Sequence, residues 1–278
     1  MYHKQYTPYD DVNIILDRLL TDVKGILKEQ FIGMYLFGSL ANGGFDQSSD
    51  VDVLIVTKAE ILDSRFSTLH SMHERIAVSD SRWATQLEIS YIPQNALRRF
   101  NQSNITHPHL DRGNGEQLHW MKHESDWVIQ RHTLRETKIV VEGPAPHTLI
   151  DPVSADDLRQ AVVDVLPLWV TPLLEDPIQR IRPRGYQSFV VLSLCRMLYT
   201  LEHGAIVSKI VAAGWALQTL DIKWVPLIER AIIGRQNAGI ARGTGVWQNS
   251  DLEVEPDDRN GTLDLIRFTM EYVNKKFS

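Results

Sequence analysis

"FGSLANGGFDQSSDVDVLIV" (residues 37–56) joins two apolar runs through a Gly38-Ser39 turn and a Gly43-Gly44 pair, and sets Asp50 and Asp52 at the mouth of the second run. Aspartate is disfavoured in strands, so two of them there need a reason other than the sheet. Side chains alternate along a strand, which puts Asp50 and Asp52 on one face, about 6.6 Å apart along the chain, while Val51 and Val53 turn to the core. Such carboxylates repel one another, and a hard, oxygen-seeking ion such as magnesium removes the conflict.

Upstream, Gly38 allows close backbone approach, Ser39 offers a hydroxyl, and the short segment "LAN" presents free amides to an anion. Phosphate oxygens at Ser39 and metal at Asp50 and Asp52 together describe a triphosphate-and-metal site, in which charge stabilisation supplies most of the catalysis. The competing reading is a polar strand edge after an ordinary turn. Glu88 is a third carboxylate: in "QLEISYI" (86–92) it faces away from Leu87, Ile89 and Tyr91. If its strand neighbours the one bearing the aspartates, Glu88 can complete a metal shell or take a proton from an attacking hydroxyl; otherwise it is a solvated strand residue.

Around this core the spacing predicts an amphipathic helix over 10–31, strands over 33–37, 51–57 and 86–92, a helix near 59–76 and a short strand within 138–146. Residues 94–124 are polar and rich in histidine, and suggest a long connection or a loosely packed helix at an inter-domain cleft. Ser154 is an expected N-cap, and helices are expected over 187–203, 207–219, 223–236 and 260–277. The expected fold is an α/β N-terminal domain, a small mixed sheet with helices, over residues 1–150, followed by an all-α helical bundle over 151–278.

Composition excludes several classes. The 278 residues are 43% hydrophobic, with no long apolar run and no leader at Met1, which points to a cytoplasmic protein without membrane attachment. A net charge of -6 argues against a broad nucleic-acid groove. The single cysteine, Cys195, lies in an apolar run and reads as a buried small hydrophobe. Oligomeric state has no signature.

The stretch "GSLANGGFDQSSDVDVLIV" resembles the polymerase-β-like nucleotidyltransferase superfamily: Gly-Ser, a spacer, Asp-x-Asp, and a third carboxylate on a later strand. "EGPAPHTLIDPVSADDLRQAV" and "LSLCRMLYTLEHGAIVSKIVAAGWAL" are similar to the helical half of the streptomycin and spectinomycin (aminoglycoside) adenylyltransferases, the antibiotic-resistance enzymes. The resemblance covers residues 33–92 and about 138–220. It implies AMP transfer from magnesium-ATP to a hydroxyl-bearing small molecule, with Asp50 and Asp52 on the metal, Gly38, Ser39 and Ser49 at the triphosphate, and Glu88 as base. It also implies that Arg196 and Lys209 contact phosphates.

From the residues alone, Arg196 interrupts an apolar helix face and Lys209 starts a helix, where its charge opposes the dipole; an external anion would compensate both. Arg196 could equally pair with a domain-interface carboxylate, and Lys209 could be a plain surface lysine. Arg180, Arg182 and Arg184 have the wrong sign for a polycationic acceptor unless they turn elsewhere. His119 and His123 stand four apart, a helical spacing for zinc with no third ligand. Trp169, Trp215 and Trp224 read as helix packing, and 241–251 as a glycine-rich loop. A protein-adenylylating enzyme of toxin-antitoxin type and a non-catalytic nucleotide-binding module remain open alternatives.

Overall fold

The computed structural model describes residues 4–41, 45, 49–99, 106–137, 139–237 and 254–277. By contact they fall into two compact units that meet in sequence at Pro152 and Val153.

The first unit is built on a six-stranded sheet. Its elements are α1 (Asp10–Leu27), β1 (Phe31–Leu36), α2 (Gly38–Ala41), β2 (Val51–Thr57), α3 (Asp63–Ala77), β3 (Leu87–Pro93), α4 (Gln94–Arg98), β4 (Thr106–Leu110), β5 (His119–Lys122), α5 (Asp126–Glu136), β6 (Val140–Glu142) and α6 (Pro146–Leu149). The strand order is β5-β4-β3-β2-β1-β6. Only β2 and β3 pair in parallel, joined through α3; the other neighbours are antiparallel. These two central strands are also the most continuously apolar, as strands covered on both faces must be.

The apolar stripe of α1 is buried from Val12 to Leu27, and α1 packs against α3. His73 of α3 meets Tyr91 of β3 at 2.7 Å, which puts α3 on the face of Ile89 and Tyr91. The opposite face of β2 and β3 carries Asp52, Leu54, Val56, Glu88 and Ile92. Leu54, Val56 and Ile92 join Trp127 and Leu134 of α5 and Leu149 of α6 in one core. The two acids thus stand at the open end of a face whose remainder is sealed.

The polar stretch after Pro93 is not a long connection: it supplies α4 and the β4–β5 hairpin, which extends the sheet. Its alternation was hidden because His107 and His109 take inward positions that apolar residues would ordinarily fill. His107 is fully buried and makes ring contacts with Trp127, His109 and His123. His119 lies on β5 and His123 just beyond it, so their spacing is that of a strand and not of a helix. Among the described residues the histidines form no metal-ligand cluster. Arg131, also buried, donates to the carbonyls of Leu97 (2.8 Å) and Arg99 (3.2 Å) and so satisfies the end of α4.

Burial holds His73, His107 and His123 neutral, each with its pKa pushed down to about 3, helped by neighbouring positive or imidazole groups. The unfolded chain protonates these groups near 6.5. Their contribution is therefore complete above that value and is lost as pH falls toward 3. Three such groups cost about 4 kcal/mol between pH 7.5 and 5.5. Denaturant unfolding at those two pH values is expected to show a loss of that order; equal stabilities would contradict the buried neutral state.

The second unit is all helical: α7 (Ala155–Glu175), α8 (Pro177–Arg180), α9 (Arg184–His203), α10 (Lys209–Thr219), α11 (Val225–Asn237) and α12 (Pro256–Phe277). Ser154 caps α7 as expected, in a reciprocal capping box: its Oγ accepts from the Asp157 amide at 3.1 Å, and Asp157 accepts from the Ser154 amide at 2.9 Å. The central helix is α9, against which α7, α10, α11 and α12 pack. Cys195 on it is fully buried, and burial pushes its thiol up to about 12. Trp224 is buried, while Trp169 and Trp215 are half-buried and make edge contacts with Phe189 and Tyr199. Gly43, Gly44 and the loop expected over 241–251 lie outside the described residues.

Candidate active site

The turn after β1 is shaped by Gly38. Its φ is +63°, in the left-handed region, and a Cβ there would lie 1.7 Å from Asp52 Oδ2. The carboxylate of Asp52 thus rests on the bare Cα of Gly38, and the Phe37 amide donates to the Asp52 carbonyl at 3.2 Å. Next to it, the Ser39 hydroxyl oxygen is out of solvent and finds no hydrogen-bond partner among the described residues. An unmet buried hydroxyl costs free energy unless a ligand meets it, which fits a phosphate oxygen. Ser49 is buried. Phe45 places its ring 4.8 Å from that of Tyr9 and 5.3 Å from that of Trp83.

Asp50 precedes β2 and Asp52 lies within it, level with Glu88 of the parallel neighbour β3. Carboxylate oxygens of Asp50, Asp52 and Glu88 all fall within 4.8 Å of one another, and all three residues are half-buried. The register that the sequence left open is therefore the one that brings the three together. Three acids at this spacing form an all-oxygen donor set, the chemistry of a hard divalent cation.

A further residue reaches the site. Arg112, in the turn between β4 and β5, places Nη1 3.2 Å from Asp50 Oδ2 and is largely shielded from solvent. It falls in the histidine-rich stretch, where no period directed attention to it. The available signal was an arginine beside a glycine between two alternating segments, "THPHL" and "HWMK".

Arg196 and Lys209 belong to the second unit. Arg196 is half-buried on α9, not sealed within it. Lys209 opens α10 after the N-cap Ser208, and its Nζ lies 4.0 Å from the centre of the Phe189 ring, so an aromatic face meets the charge that the dipole disfavours. Arg184 is neutralised within the bundle: it and Arg230 both bind the buried carboxylate of Asp258, Arg184 at 3.1 Å. Arg180 and Arg182 are exposed.

Residues 17–106 match the nucleotidyltransferase domain family, and residues 148–256 match the C-terminal domain of aminoglycoside adenylyltransferases. Residues 17–106 of the first unit thus carry a nucleotidyltransferase domain. Among curated proteins, the spectinomycin 9-adenylyltransferase of Staphylococcus aureus is 29% identical over 224 residues, 75% of this chain and 79% of that one. The aminoglycoside (3'') (9) adenylyltransferase of Escherichia coli is 24% identical over 245 residues, 80% and 87% of the two chains. The crystal structure of the spectinomycin adenyltransferase AAD(9) from Enterococcus faecialis, determined with ATP and spectinomycin, shares the fold at a TM-score of 0.68. It is 18% identical and covers 92% of this chain and 98% of that chain. The matched domain and the adenylyltransferase relatives mark the chain as an enzyme, with its carboxylate triad in the first matched region. None of its described helices is long and apolar enough to cross a membrane.

Proposed function

We propose that this protein transfers AMP from magnesium-ATP to a hydroxyl of an aminoglycoside or of spectinomycin, inside the cell where ATP is available. The observation that carries the reading is the convergence of Asp50, Asp52 and Glu88 within 4.8 Å on adjacent strands, in a chain whose relatives are named for this chemistry. Asp50 and Asp52 would hold the divalent ion, whose charge offsets that of the departing pyrophosphate. Glu88 takes the proton of the acceptor hydroxyl as its oxygen attacks the α-phosphorus and the bond to pyrophosphate breaks. Gly38 lets the phosphates approach the backbone, and Ser39 and Ser49 bond their oxygens. Arg196 and Lys209 contribute positive charge from the second unit. In this reading residues 1–150 carry the chemistry and residues 151–278 cover the nucleotide and the acceptor. Burial of Asp258 against Arg184 removes one of the three arginines that speak against a cationic acceptor.

The test is mass-spectrometric detection of an adenylylated product after incubation with magnesium-ATP and streptomycin or spectinomycin in turn. Glu88→Gln is expected to retain ATP binding and to slow transfer roughly a hundredfold, as loss of a general base does. Failure to modify either compound would overturn the proposed acceptor class, and an undiminished rate in Glu88→Gln would remove the base.

A further inference from the structure

We propose that Arg112 is the resident counter-cation of the carboxylate site, holding Asp50 while no ion is bound and turning to the nucleotide phosphates when the ion arrives. The proposal rests on the reading of the triad as a metal site. The contact itself is the ion pair at 3.2 Å between Arg112 Nη1 and Asp50 Oδ2, with the arginine side chain 14% exposed. A shielded guanidinium paired with one of three clustered acids does part of what a cation would do there: it offsets their mutual repulsion.

The backbone around Arg112 is anchored on both sides. On one side Asp111 stands 3.4 Å from His109 Nε2 and 3.7 Å from His119 Nε2, and these contacts hold its carboxyl below the usual range. On the other the Gly113 amide donates to the Thr85 carbonyl at 2.8 Å, three residues before Glu88. A long side chain on a backbone held at both neighbours can exchange one anion for another without moving its base. Once Asp50 gives its oxygen to an ion, the guanidinium loses that carboxylate, and the triphosphate arriving with the ion supplies the anion. Arginine suits both positions, since its planar fork matches carboxylate and phosphate alike.

Arg112 then penalises the free ion and favours the ion together with nucleotide, so its signature is the coupling between the two ligands. Manganese is a spectroscopic probe for the site, and its affinity can be titrated with and without a non-hydrolysable ATP analogue in the wild type, Arg112→Gln and Arg112→Lys. With Arg112→Gln, free manganese is expected to bind roughly tenfold tighter, because a competing charge in contact with a ligand is gone. The analogue should tighten manganese binding less than in the wild type, also by roughly tenfold, and Arg112→Lys should fall between. An unchanged affinity for free manganese overturns the proposal, as does an unchanged coupling. Wild-type protein that binds no manganese at all would overturn the metal reading of the triad instead. These titrations do not depend on the acceptor, and thermal melts of both variants guard against a folding defect.

Discussion

Replacing Asp50 and Asp52 together by asparagine is expected to lower adenylyl transfer by roughly a thousandfold or more, since the charge stabilisation of a bound divalent ion supplies several kcal/mol of the barrier. Asparagine keeps the shape of each side chain and removes the charge that gathers a cation. Manganese binding should vanish with activity. The fold should survive, because both residues are half-buried at the end of β2 and the core below them, Leu54 and Val56 with Ile92, is untouched. Relief of repulsion among the three carboxylates offsets the loss of a charged partner for Arg112. The measurement is steady-state turnover with a parallel thermal melt: full turnover in a folded double variant would contradict the metal site, and a collapsed melt would show the aspartates to be structural.

The second large effect is expected from Gly38→Ala, a change of one methyl group. The new Cβ would lie 1.7 Å from Asp52 Oδ2, a contact that only displacement of the carboxylate relieves. Asp52 is the flexible partner, so the accommodation falls on the side chain that the chemistry needs. Misplacement by about 1 Å costs roughly a hundredfold in rate, and the turn also sets Ser39, so a combined loss of roughly a thousandfold is expected. The positive φ of +63° adds strain of about 1 kcal/mol. A small shift in melting temperature with near-total loss of turnover and weakened manganese binding is the expected pattern. Wild-type turnover would show that Asp52 does not need its seat on Gly38.

Much of the fold was legible because its periodicities are undisguised. The stripe of α1, the apolar runs of β2 and β3, the Ser154 cap and the helices of the second unit all follow from spacing and caps, and the structure shows each of them. The hairpin of β4 and β5 was not legible, because buried histidines occupy its inward positions and read as polar loop. Lys209 shows the same limit at the level of one residue: sequence exposes the conflict between its charge and the helix dipole, but not that the ring of Phe189, twenty positions earlier, meets it.

By itself the sequence determined that Asp50 and Asp52 share a face, that Gly38 and Ser39 form the turn before them, and that Glu88 stands on a strand with its carboxyl away from the apolar side. These are matters of spacing and turn chemistry along one chain, which a local pattern can encode. Only the tertiary structure decided that β2 and β3 pair in parallel with Asp52 level with Glu88, that Asp52 rests on Gly38, and that Arg112 reaches Asp50. Each of these joins residues distant in sequence, and such pairings are set by register and by the burial of two faces at once, which no local period encodes.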